Sequence, residues 1–366
     1  MPKRLIRYAV VGCGHIAQVA VLPAFGNARR NSKLAAIVSG DPVKRDTLKQ
    51  KYDIPQAVDY GAYDALLKSG DIDAVYIALP NNMHAEYAER AARAGLHVLC
   101  EKPMAVTEAE CELMARMARE HKVKLMVAYR LHFERANLEA IEIARSGRIG
   151  EPRLFTSTFT MSVVPGNIRV RREMGGGVLY DIGIYCINAA RALFRDEPVE
   201  AWAAAAGVVG DVEESVSAVL RFPNERLASF TCSFGATKVS EYRLAGTKGE
   251  LAVDPAYDYA KPLEHRLSLE GNVVSERRFA KRDQFAPELL YFSDCILQNR
   301  DPEPSAEEGL ADIRVIRALY KSMESGQPVE LAPFQRHDRP SLEQEIRRPP
   351  IDKPSVIHAQ APSGGQ

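Results

Sequence analysis

Through the first 128 residues, short apolar runs alternate with stretches whose apolar positions recur every three to four residues. The runs at 5–11, 34–39, 73–79, 97–101 and 124–128 are five to seven residues long and rich in Val, Ile, Leu and Ala, which predicts strands buried on both faces. Between them, 16–27, 42–52, 82–94 and 107–121 carry the helical period. Their ends are legible: Asp41 caps the second, Gly95 closes the third, and Thr107-x-x-Glu110 is a capping box for the fourth. This βαβα rhythm predicts an α/β domain over 1–128 built on a doubly wound parallel sheet.

After Tyr129 the pattern changes. Strand-like stretches fall at 152–163, 199–209, 214–222, 226–235, 241–245, 250–253 and 266–270, with helices at 134–146, 178–194 and 306–325. Such an order predicts an α+β domain over 129–332 with a large, mostly antiparallel open sheet. The segment 333–366 is rich in Pro, Gln, Arg and Ser without period, and is expected either to be disordered or to lie as an extended arm on a neighbouring surface.

Composition narrows the function classes. A chain of 366 residues is too long for one ordinary core and fits about two domains. Its formal net charge of zero gives no electrostatic case for nucleic acid or an anionic membrane. No apolar run reaches the ~18 residues of a membrane span. The basic Met1–Arg7 is not followed by a secretory h-region, so a cytoplasmic protein is expected. Six scattered cysteines with no Cys-x-x-Cys read as free thiols, with neither a disulfide frame nor a metal site.

Candidate chemistry begins at Gly12-Cys13-Gly14-His15-Ile16-Ala17, a G-x-G-x-x-A turn between a predicted strand and a predicted helix. Gly12 permits the turn, Gly14 admits a pyrophosphate, and His15 and Ile16 open the helix whose N-terminus favours it. The second strand ends in Ser39-Gly40 rather than an acid, and Lys44 and Arg45 follow within a turn, which favours NADP. Asp41 argues for NAD if it turns inward; otherwise it is a helix cap.

Three further segments stand out. Leu79-Pro80-Asn81-Asn82-x-His84 and Glu101-Lys102-Pro103 follow strands whose carboxyl ends are where ligands bind in such sheets. Gly175-Gly176-Gly177-x-x-x-Asp181-x-Gly183-x-Tyr185 opens a helix on which Asp181, Tyr185 and Asn188 form a polar stripe, either functional or a satisfied structural network. Arg130 and His132 are candidates for lining a cleft. Arg169, Arg171 and Arg172 either grip an anionic substrate or are solvated, and His84 is either a cofactor contact or structural. Oxidising a secondary alcohol moves a hydride and a proton. Tyr, with an ordinary pKa of about 10, needs a neighbouring ammonium to serve as base near neutrality.

Together the Gly12 turn, Glu101-Lys102-Pro103, Tyr129-Arg130-Leu131-His132-Phe133 and the Gly175–Tyr185 block resemble the glucose–fructose oxidoreductase, inositol dehydrogenase and rhizopine-catabolism (Gfo/Idh/MocA) family over about residues 5–330. The nearest likeness is to the glucose–fructose branch, through Leu79-Pro80-Asn81, Cys100–Ala105 and Asp181-Ile182-Gly183-Ile184-Tyr185. The resemblance implies an enzyme oxidising or reducing a sugar or polyol with a nicotinamide cofactor. It assigns Lys102 to the nicotinamide ribose and the reacting oxygen, Asp181 to substrate hydroxyls and Tyr185 to proton exchange. Many members carry His at the last position. A homodimer or homotetramer built through the second-domain sheet is also implied. Rival readings are a non-catalytic dinucleotide-binding regulator, a hydrolysing or eliminating relative, and a glucose–fructose-type enzyme that never releases its cofactor. That branch covers its nucleotide with an N-terminal arm. About four residues precede the first strand here, so free exchange is expected unless the C-terminal tail substitutes.

Overall fold

The computed structural model describes residues 4–336 and 338–363. These divide into two units, neither of them one continuous segment. Unit 1 takes the chain up to Arg130, then Arg282–Gly309 and Ile346–Ala361; unit 2 takes Leu131–Lys281, Leu310–Glu345 and the residues from Pro362 onward.

Unit 1 is built on six parallel strands: β1 (Ile6–Val11), β2 (Ser32–Val38), β3 (Gln56–Val58), β4 (Ala74–Ile77), β5 (His97–Glu101) and β6 (Leu125–Ala128), in the order β3-β2-β1-β4-β5-β6. All four residues of β4 are fully buried, as its unbroken apolar run requires of a strand covered on both faces. The helix after β1 passes through a π-helical turn at Ala17–Val21 into α1 (Leu22–Ala24). It is followed by α2 (Pro42–Tyr52), α3 (Tyr63–Leu67), α4 (His84–Arg93) and α5 (Glu108–Glu120). The expected caps form. Asp41 Oδ1 accepts from Lys44 N at 3.2 Å, and Thr107 and Glu110 exchange both bonds of a capping box. The strand order reverses between β1 and β4, opening a crevice beyond their carboxyl ends.

Unit 2 carries α6 (Arg135–Arg145), α7 (Ile184–Phe194) and most of α9 (Ala306–Ser325), while α8 (Ala286–Gln298) belongs to unit 1. Its sheet has nine strands: β7 (Pro152–Thr160), β8 (Glu200–Val209), β9 (Val212–Phe222), β10 (Arg226–Ser233), β11 (Val239–Gly246), β12 (Gly249–Val253), β13 (Leu263–Leu269), β14 (Asn272–Phe279) and β15 (Val329–Glu330). Their order is β14-β13-β12-β11-β7-β10-β9-β8-β15, antiparallel throughout except at β7 and β10. Alternation decides the faces: Val216, Ala218, Leu220 and Phe222 of β9 are buried, whereas Val219 is exposed beside its register partner Trp202. Leu154 and Leu227, also paired, are exposed on neighbouring strands.

The division read from the pattern placed 129–332 in one domain and set the tail apart. Contacts place α8 and residues 346–361 in unit 1 instead. Ser293 on α8 bonds Tyr8 Oη and Ser32 Oγ, both at 2.8 Å, and Asn31 Nδ2 donates to the Leu290 carbonyl at 2.8 Å. The tail is extended along unit 1, where Asn27 Nδ2 donates to the Pro349 carbonyl at 3.0 Å.

One buried ion network braces unit 2. Arg191 is fully buried and donates to Asp312 at 2.5 Å and to Glu197 at 2.6 Å, and Glu197 also pairs with Arg339 at 2.8 Å. Asp312→Ala leaves a buried guanidinium short of its partner. The expected loss is about 3–5 kcal/mol of unfolding free energy, read by urea denaturation. A loss under about 1 kcal/mol would show the network to be dispensable.

Candidate active site

At the end of β1, Gly12 has φ +93°, and a Cβ there would stand 2.5 Å from the Ala78 carbonyl oxygen. Only glycine permits that approach. A Cβ on Gly14 would meet nothing within 4 Å, so the turn is open on the side of the helix N-terminus. Ala17 is fully buried, as close helix–strand packing demands. This cradle fits a dinucleotide pyrophosphate, with Gly12, Gly14, His15 and Ile16 as the residues that would hold it. After β2, Ser39 is buried, its carbonyl accepts from Arg45 Nη1 at 2.7 Å, and its Oγ accepts from Asp41 N at 3.4 Å. Gly40 lies against the Tyr60 ring, and Lys44 sits in the first turn of α2.

Beyond β4, Leu79 and Pro80 lead into a 3-10 turn, Asn81–Met83, and then into α4. His84 is fully buried there. Its Nδ1 lies 2.9 Å from the Pro103 carbonyl and its Nε2 2.9 Å from the Leu79 carbonyl. The imidazole thus ties the turn after β4 to the turn after β5. Two acceptors suit an imidazolium, yet burial outweighs them and carries the pKa below the usual histidine value. Lys102 is half-buried and joins Pro103 through a cis peptide. Glu101, beside it, is buried and accepts from Tyr76 Oη at 2.8 Å. Burial raises the Glu101 carboxyl above its ordinary range, opposed by the charges of Lys102 and Arg130. Arg130 is buried and donates Nη1 to Gln284 Oε1.

Sequence reasoning missed Glu288, on the first turn of α8. It is fully buried, and neither carboxylate oxygen has a hydrogen-bond partner among the described residues. Burial, then the Glu101 charge, push its carboxyl well above the usual range; Arg130 opposes this and Asp283 adds to it. The available signal was a helix start: Asp283 Oδ1 accepts from the Phe285 and Ala286 N–H groups at 2.9 and 3.0 Å, and Pro287 follows.

In unit 2, Gly175 takes a left-handed backbone, φ +74°, and Gly176 and Gly177 serve close packing. A Cβ on Gly176 would meet the carbonyl oxygens of Arg169 and Arg171 at 2.5 and 2.7 Å. A π-helical segment, Leu179–Gly183, precedes α7 and contains Asp181, whose Oδ2 accepts from Arg169 Nε at 2.7 Å. Tyr185 is half-buried, with ring centroids 5.6 Å from Phe159 and 5.8 Å from Tyr257. Asn188 belongs to the structural network: it accepts from His132 Nε2 at 2.9 Å and donates to Asp312 at 2.9 Å. Arg171 pairs with Glu173, and the Arg172 N–H donates to Asp211 at 2.6 Å. Unit 1 therefore gathers the nucleotide candidates and Lys102, while unit 2 holds Asp181, Tyr185 and His132.

Two family models match the chain. One, described as an oxidoreductase family with NAD-binding Rossmann fold, covers residues 6–129, and the other, the GFO/IDH/MocA C-terminal domain, covers 137–252. The chain is 33% identical over 341 residues to a D-xylose 1-dehydrogenase (NADP(+)) of Haloarcula marismortui, spanning 89% of this chain and 93% of that protein. The crystal structure of an aldose-aldose oxidoreductase from Caulobacter crescentus, complexed with glycerol, is 36% identical with a TM-score of 0.84, covering 90% of this chain and 100% of that one. A 3-ketoreductase from Actinomadura kijaniata, in complex with NADP and TDP-benzene, is 28% identical with a TM-score of 0.79 over 87% and 98% of the two chains.

Glu288 gives a pH test of the charge cluster. Its folded pKa is raised, so its contribution is fully present below the ordinary glutamate value of about 4.5 and is lost as pH rises toward the folded value. Glu288→Gln is therefore expected to gain stability on the wild type as pH rises above that point, by at most about 1.4 kcal/mol per pH unit. Urea midpoints across the range measure it. A difference that does not change with pH would show Glu288 to be ionised at no cost.

Proposed function

The chain belongs to the Gfo/Idh/MocA oxidoreductase family, and we propose that it is an NADP-dependent enzyme moving hydride between the nicotinamide and the anomeric carbon of an aldose. It is an NAD(P)-dependent oxidoreductase. The observation that carries the reading is the turn after β5, where Lys102 stands beside a buried carboxylate one strand from the point at which the sheet order reverses. The relatives named as NADP-dependent D-xylose 1-dehydrogenase and aldose-aldose oxidoreductase support an aldose as substrate. Support for NADP over NAD comes from the neutral Ser39, the Arg45 guanidinium held at its carbonyl, and the use of Asp41 as a helix cap.

The nicotinamide, when bound, accepts the sugar's hydride or returns it. The remaining work falls to side chains. Tyr185 Oη takes the hydroxyl proton on oxidation and gives it back on reduction. The Lys102 ammonium favours the developing alkoxide. Asp181 accepts hydrogen bonds from sugar hydroxyls. Arg130 and His132, with Leu79, Pro80, Asn81 and Glu101, are the surrounding contacts, and His84 holds the Leu79 and Pro103 carbonyls in place behind them. A second reading, exchange of hydride between two aldoses on one retained nucleotide, is favoured by the likeness to aldose-aldose oxidoreductase. It predicts turnover of a sugar pair without added NADP. The exposed Trp202, Val219, Leu154 and Leu227 support self-association through the nine-stranded sheet as a dimer or tetramer, and six buried free cysteines fit the cytoplasm.

The test is reduced-nicotinamide absorbance with NADP and a panel of aldoses. Lys102→Met is expected to lower turnover by about a hundred- to ten-thousand-fold while nucleotide affinity stays near the wild-type value. Tyr185→Phe should lower it comparably. Unchanged turnover in Lys102→Met ends the assignment of that residue, and no absorbance change with any aldose together with no turnover of any aldose pair ends the substrate reading.

A further inference from the structure

Two consecutive residues near the end of the chain touch the two elements that follow β1 and β2. The Ile357 N–H donates to Gln18 Oε1 at 2.8 Å, and Gln18 Nε2 donates back to the Ile357 carbonyl at 2.9 Å. The same Nε2 donates to the Cys13 carbonyl, inside the glycine turn, at 2.9 Å. Gln18 is itself buried, so this reciprocal pair fixes the tail backbone at that point. One residue on, His358 takes a left-handed backbone, φ 45°, and donates Nδ1 to Asp41 Oδ2 at 2.8 Å. Lys51 Nζ, donating to the Ser355 carbonyl at 3.4 Å, holds the approach to this contact.

In a doubly wound sheet the adenosine half of a dinucleotide lies between the helix after the first strand and the end of the second. Asp41 is the acid at that second place. A carboxylate free to turn there accepts from a ribose 2′-hydroxyl and repels a 2′-phosphate. Here both oxygens are engaged, Oδ1 by the Lys44 N–H and Oδ2 by His358. Ser39, Lys44 and the Arg45 guanidinium remain to meet a phosphate.

We propose that His358, delivered by the C-terminal segment, is a specificity-determining residue for the nucleotide: by occupying Asp41 it withdraws that carboxylate from the ribose and turns the site toward a 2′-phosphate. The inference rests on the NADP reading above and extends it to a residue far from the glycine turn in sequence. The His358 and Lys44 contacts also hold the Asp41 carboxyl below its usual range, so the acid is committed to these partners. Because Nδ1 carries a hydrogen in the imidazolium and in one neutral tautomer, the contact does not require a charged ring.

The test uses the full chain freed of nucleotide, with 2′,5′-ADP and 5′-AMP as probes and affinity measured by calorimetry. The wild type is expected to prefer 2′,5′-ADP. His358→Ala should lower that preference by about tenfold or more, the worth of one hydrogen bond to a charged group, through weaker binding of 2′,5′-ADP with binding of 5′-AMP unchanged or tighter. His358→Gln, which still offers Asp41 an N–H, should keep most of it. Adding Asp41→Asn to His358→Ala should restore it, since Asn caps the helix without repelling phosphate. An unchanged preference in His358→Ala, or equal weakening toward both probes, overturns the inference and leaves the nucleotide reading intact. Binding of neither probe by the wild type overturns both.

Discussion

The close passage of Gly12 against the Ala78 carbonyl is the constraint from which the nucleotide side of the molecule is built. A Cβ would stand 2.5 Å from that oxygen, so the end of β1 and the end of β4 meet as bare backbone. These are the two strands across which the sheet order reverses. The approach leaves Gly14 open toward the helix that follows, and it fixes the start of the Leu79-Pro80-Asn81 turn. From there His84 carries the constraint one strand further, since its ring spans the carbonyls of Leu79 and Pro103. Glycine turn and lysine turn are thus connected through one close backbone approach and one buried imidazole locked between two carbonyls.

The two units treat buried charge differently. In unit 2, Arg191 is matched on both sides by Asp312 and Glu197, and Asn188 and His132 extend the network, so every named charge has its opposite in contact. That is the arrangement of a brace. In unit 1, Glu101 and Glu288 are two acids raised by burial, Glu288 further by the Glu101 charge, with Lys102 and Arg130 opposing the rise in Glu101 but only Arg130 opposing it in Glu288. An imbalance of that kind is costly in a merely structural place and is the usual signature of a site that handles protons or ligands.

Much of this was legible in the chain. Unbroken apolar runs foretold the buried parallel strands, because they answer directly to both faces being covered, and a succession of strand-like stretches with few helices between them foretold the large, mostly antiparallel sheet. The caps at Asp41 and Thr107 read correctly because they depend on neighbours within one turn. What escaped depends on partners distant in sequence. The segment forming α8 is apolar on most sides, so no period betrayed it, and Glu288 was hidden within it. The tail lacks period because it is extended and held largely through its backbone groups, by Gln18, Asn27 and Lys51. The polar stripe of Asp181, Tyr185 and Asn188 was read as one face. The π-helical segment at Leu179–Gly183 alters the register, and Asn188 turns into the brace.

Hydride transfer from a sugar carbon is the central claim, and isotope tracing reaches it most directly. With an aldose deuterated at the anomeric carbon and oxidised NADP, mass spectrometry of the nucleotide after turnover should show the deuterium on the nicotinamide. Deuterium retained in the sugar, or released to water, would contradict the account.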